Sequence, residues 1–91
     1  MKGYEKVKEL IDSELEDYSY FEIGELKLIE ENESEEFYEI DIEMNKKEKT
    51  LYFRYDRSED KIGVQLSEDN YEETNDYNYK VKYFWMALLE W

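Results

Sequence analysis

Carboxylates are the most abundant of the reactive groups this chain carries, ahead of its lysines and tyrosines. Its 91 residues hold 26 aspartates and glutamates against 12 lysines and arginines, with no cysteine and no histidine. Carboxylates can do three kinds of work: acid–base catalysis, cation binding and the display of charge. Catalysis by a carboxylate pair needs one member raised in pKa by burial beside a cleft, whereas these acids crowd turns and the polar side of an alternating strand. Without histidine the usual general base, the commonest metal ligand and the physiological pH switch are missing. Without cysteine, thiol nucleophiles, thiolate metal sites and disulfides are missing as well. The expectation is a protein that is not an enzyme and that uses no cofactor and no metal.

Two spacings bear on the remaining options. Asp56, Ser58 and Asp60 show the i, i+2, i+4 oxygens that open a calcium loop, but Lys61 stands where such a loop needs glycine and Ser67 where it needs a bidentate glutamate. The segment suits a hairpin turn better. Glu39, Asp41 and Glu43 alternate with Tyr38, Ile40, Ile42 and Met44, so in a strand the three acids share one face at intervals of ~6.6 Å. That row is comparable with successive phosphates, which rise ~3.4 Å per residue along a duplex while winding around it.

Two denser groups of acids flank the row. Glu30, Glu31, Glu33, Glu35 and Glu36 fall in a turn region, and Glu68, Asp69, Glu72, Glu73 and Asp76 surround Tyr71 in a polar stretch from Ser67 to Asp76. The net charge of −14 exceeds the magnitude of ~2 to 8 that keeps a small domain soluble, and self-repulsion of this size works against the compact state. The sign excludes phosphate binding through this surface, since that affinity comes from lysine and arginine. Lys46, Lys47 and Lys49 form the only basic knot and read as a solubility device or a guard on a sheet edge rather than a phosphate site. Ten tyrosines exceed what a small core can take, and Tyr52, Tyr71 and Tyr79 are the expected exposed ones, suited to burial against a partner. The candidate partner-binding residues are therefore Glu39, Asp41, Glu43, Glu68, Asp69, Tyr71, Glu72 and Glu73. Their expected partner is a basic nucleic-acid-binding protein, with no direct binding to nucleic acid and none to membrane.

Periodicity supplies the elements that hold these residues. Tyr4, Val7, Leu10, Ile11 and Leu15 predict a first amphipathic helix, and Tyr77, Val81, Phe84, Trp85 and Leu88 a closing one. Between them, Tyr18 to Glu30 reads as a strand bent at Gly24 and Phe37 to Asn45 as a second. After a turn at Lys46 to Glu48, Leu51, Phe53 and Tyr55 mark a third strand. A hairpin turn at Arg57 to Asp60 leads to a fourth through Ile62, Val64 and Leu66. The expectation is one α+β domain over residues 1–91 in α-β-β-β-β-α order, a four-stranded antiparallel sheet with both helices packed on one face. Leu10, Ile11, Leu51, Phe53, Ile62, Val64, Phe84 and Leu88 should share its core. The charged start from Met1 to Asp12 has no apolar run suited to a signal or a span, so a complete cytoplasmic protein is expected.

In size, charge, lack of cysteine and element order the chain resembles the small acidic phage-encoded inhibitors, in particular DNA-mimic anti-CRISPR proteins that block an RNA-guided nuclease. The resemblance implies a stoichiometric inhibitor, in the host cytoplasm, that covers the duplex- or PAM-reading basic residues of a CRISPR effector nuclease. It carries no residue role with it. The same electrostatics suit inhibition of other enzymes with basic grooves, or an immunity protein that neutralises a nuclease toxin. A third alternative is a structural or regulatory module with no basic target.

Overall fold

Strict alternation of apolar and acidic residues makes the stretch around Ile40 the pivot of the sheet in a computed structural model that describes residues 2–67 and 70–90. The elements run α1 (Lys2–Leu15), β1 (Phe21–Ile23), β2 (Lys27–Glu31), β3 (Glu35–Met44), β4 (Lys47–Asp56), β5 (Lys61–Ser67), β6 (Asn70–Thr74) and α2 (Tyr77–Glu90). The strand pairs are all antiparallel, in the spatial order β1-β3-β4-β5-β6, and β2 shares with β1 one edge of β3. The chain is thus α+β with a helix at each end, as its periodicities predict.

The sheet has six strands where the sequence suggests four, for two local reasons. The stretch expected as one bent strand is two, because at Gly24 the backbone closes onto β3. Its N–H donates to the Asp41 carbonyl at 2.8 Å, and a Cβ there would lie 2.8 Å from the same oxygen. The chain leaves the ladder, buries Leu26 and re-enters as β2. The polar stretch expected as a loop holds β6, whose Tyr71 and Glu73 pair with Gln65 and Gly63 of β5. An edge strand with a wet face has no apolar alternation to betray it.

Two turns and a cap set the remaining geometry. Met44 pairs with Lys47, leaving Asn45 and Lys46 as a two-residue loop at φ 52° and 66°, the primed turn that suits the twist of a hairpin. Asp56 Oδ1 holds the next hairpin by accepting from the Ser58 N–H at 2.9 Å and the Ser58 hydroxyl at 2.7 Å. Asp76 caps α2, accepting from the N–H of Asn78 at 2.9 Å.

One buried cluster joins Val7, Leu10, Ile11 and Leu15 of α1 and Phe84, Ala87 and Leu88 of α2 to alternate residues of the strands, among them Tyr38, Ile40, Leu51, Phe53, Ile62 and Val64. Phe53 and Phe84 stack at its centre with ring centroids 6.5 Å apart. Among the described residues no helix is long and apolar enough to cross a membrane.

Candidate functional site

The pleat that sends Tyr38, Ile40 and Ile42 into the core turns Glu39, Asp41 and Glu43 to the opposite, outer face. Register then decides what lies beside each acid. Glu39 stands between Lys27 of β2 and Tyr52 of β4, and Asp41 accepts from the Thr50 hydroxyl at 2.5 Å. Glu43 stands between Glu22 of β1 and Glu48 of β4. Directly opposed side chains on neighbouring strands have Cβ atoms about 5 Å apart, and like charges so placed repel. Glu22, Asp41, Glu43 and Glu48, with Ile23 and Gly24, line a shallow depression of about 260 Å³. Lys47 and Lys49 line a neighbouring cleft with Ile42, Met44, Leu88 and Leu89, and Glu48 borders both.

The chain's two arginines are engaged elsewhere. Arg57 reaches from the β4–β5 turn to the β2–β3 hairpin, pairing with Glu31 and Glu36 at 2.6 Å each and donating to the Asn32 carbonyl at 2.8 Å. Glu36 is only 2% exposed and also accepts from the Tyr38 hydroxyl. Burial alone would raise its pKa, but the hydrogen bonds from Tyr38 and Arg57 outweigh that and hold the carboxyl below its ordinary value. Burial and the Glu36 hydrogen bond push the Tyr38 hydroxyl well above a normal phenol. Arg54 on β4 reaches over Gly63 of β5 to Glu73 of β6. It also lies 3.5 Å from Glu35 and 5.1 Å from the Tyr71 ring centroid. A Cβ at Gly63 would sit 2.9 Å from Glu73 Cγ, so glycine keeps that crossing open.

These contacts divide the sequence-predicted residues. The row Glu39, Asp41 and Glu43 stands together on the outer face. Tyr71 and Glu73 share that face at its far edge, about 14 Å away across three strand spacings, half-buried around Arg54. Glu72 opposes Val64 and so faces the other side. Glu68 and Asp69 lie outside the described residues. Much of the first acid group is structural, with Glu31, Glu35 and Glu36 held by the arginines. Sequence reasoning missed Glu22 and Glu48, whose neighbourhood exists only through strand register, and an exposed aromatic pair at Tyr18 and Tyr20.

A metal site finds little support. Among the described residues, the carboxylates that converge within 4.8 Å of one another are those of Asp56, Glu59 and Glu73. Asp56 already accepts from Ser58, which with lesser backbone bonds keeps its pKa below the ordinary value, and Glu73 is paired with Arg54. Comparison with protein-family models, with curated proteins and with solved structures finds no match to this chain.

Proposed function

We propose that the protein is a stoichiometric binding protein that acts by occupancy and not by catalysis. Its outer sheet face docks into the basic groove of a nucleic-acid-binding protein and excludes the nucleic acid. In this reading both helices pack on the inner face, which leaves the acidic face open along β1, β3 and β4. The observation that carries it is the line Glu22–Glu43–Glu48 with Asp41 beside it. Folding gains nothing from three like charges set opposite one another. Complementarity to a positive groove accounts for the arrangement, by steering encounter and fixing orientation. The resemblance to DNA-mimic inhibitors makes a nuclease such as a CRISPR effector the first target to try.

The test uses the tagged protein as bait in lysate of phage-infected cells, beside a Glu39→Lys, Asp41→Lys, Glu43→Lys triple variant shown to be folded. The expected result is a basic nucleic-acid-binding protein retained by the wild type, released by rising salt and lost from the triple variant. Retention of no such protein, or equal retention by the variant, overturns the reading.

A further inference from the structure

Along β3 the inward residues Tyr38, Ile40, Ile42 and Met44 are apolar to the end of the strand. On β4 the opposing series is Phe53, Leu51, Lys49 and Lys47, so it turns cationic where β3 stays apolar. Directly opposed residues share a face, and both lysines therefore lie on the side of the sheet that carries the core. There they border a cleft of about 440 Å³ with Ile42, Met44 and Glu48 and with Leu88 and Leu89 of α2. Ile42 and Leu88 are buried, Lys49 is half-buried and Leu89 is 57% exposed. Burial holds the Lys49 amine below its ordinary pKa, and an anion bound beside it would favour the charged form again.

Core formation does not ask for this arrangement. An apolar side chain at either lysine position would extend the alternation, whereas an amine drawn partly out of water costs free energy. The cleft instead has the make-up of a small-ligand site, which spans ~300 to 1,000 Å³ and sets a few charged groups in a mainly apolar wall. The neighbouring lysines select an anionic head, and Ile42, Met44, Leu88 and Leu89 select an aliphatic tail. Glu48 on the wall and the total of −14 work against nucleic acid or an anionic membrane surface, because repulsion grows with the charge brought in. For a single charge, acids farther off than ~8 Å are screened at physiological salt, and the adjacent lysines decide.

We infer that this cleft binds a monoanionic amphiphile, a medium-chain aliphatic carboxylate, with its head at Lys47 and Lys49 and its tail along Ile42, Met44, Leu88 and Leu89. The site is independent of what the acidic outer face binds. The probe is decanoate below its micellar concentration, followed by calorimetry and by the methyl NMR signals of the four apolar lining residues. Saturable binding that shifts those signals is expected. Decanol, which lacks the charge, should bind about tenfold more weakly, and butyrate, which lacks the tail, should not bind measurably. Lys49→Met, an apolar replacement of similar length, should weaken decanoate about tenfold and leave decanol unchanged. Should that variant unfold, Lys47→Gln, at the more exposed lysine, should weaken decanoate about threefold. Equal binding of decanoate and decanol, signal shifts confined to other parts of the molecule, or a decanoate affinity that survives the lysine changes overturns the inference. So does binding to anionic phospholipid vesicles without binding of free decanoate, which would make the cleft a membrane contact.

Discussion

Tyr55 shows what single side chains do here besides fill space. It is buried, and its hydroxyl donates to Asp60 at 2.5 Å, as does Lys6 of α1 at 2.5 Å. One carboxylate thus ties α1, β4 and the β4–β5 turn together. Burial first, and the Asp60 hydrogen bond second, push the Tyr55 pKa up to about 12, against about 10 in an unfolded chain. Because the folded value is the higher, the stability linked to this proton is complete below about pH 10 and is lost as the pH rises through about 12. Denaturant titrations from pH 9 to 12 should show that loss, and Tyr55→Phe should make it shallower, with the similarly raised Tyr38 supplying part of what remains. Lys46 makes the opposite point. It holds φ 66° in the Asn45–Lys46 turn, a conformation that costs a side chain about 1 kcal/mol and glycine almost nothing. Lys46→Gly should therefore raise stability by somewhat under ~1 kcal/mol, measured by urea denaturation. The alternation on either side made a turn visible in the sequence, but not its shape.

At the scale of elements, legibility followed period. Both helices and the strands around Ile40, Phe53 and Val64 have one apolar side, and their residues meet in one core. Phe53 and Phe84 are fully buried at its centre, so truncating either to alanine should cost about 3 to 5 kcal/mol in equilibrium unfolding. What stayed hidden has a physical reason too. The split of β1 from β2 depends on Gly24 meeting the Asp41 carbonyl, a contact 17 residues away in sequence that no local pattern reports. In β6, Tyr71 and Glu73 owe their places to Arg54 reaching over Gly63, so a polar segment is held as a strand by a cation two strands away. The Arg57 clamp on Glu31 and Glu36 spans more than 20 residues in the same manner.

Across the whole molecule, the total charge was legible from composition and its distribution was not. A uniform reading of −14 treats every acid as free. The fold instead reserves both arginines for the β2–β3 hairpin and the β6 edge, and it leaves Glu22, Asp41, Glu43 and Glu48 around one depression. Two consequences belong to this scale. Raising ionic strength should stabilise the protein by screening self-repulsion, seen as a rising Tm in simple salt. Glu43→Gln should stabilise it by roughly 0.2 to 1 kcal/mol, since it removes a charge opposed on both sides, while slowing association with the partner. A gain in stability joined to a loss of binding marks a surface kept for function.

The most direct measurement loads the captured partner with fluorescent duplex DNA and titrates in this protein, wild type beside the Glu39→Lys, Asp41→Lys, Glu43→Lys variant. The account predicts that wild type releases the DNA stoichiometrically, that release weakens as salt rises, and that the variant releases little. A ternary complex in which the DNA stays bound, or equal release by the variant, would contradict it.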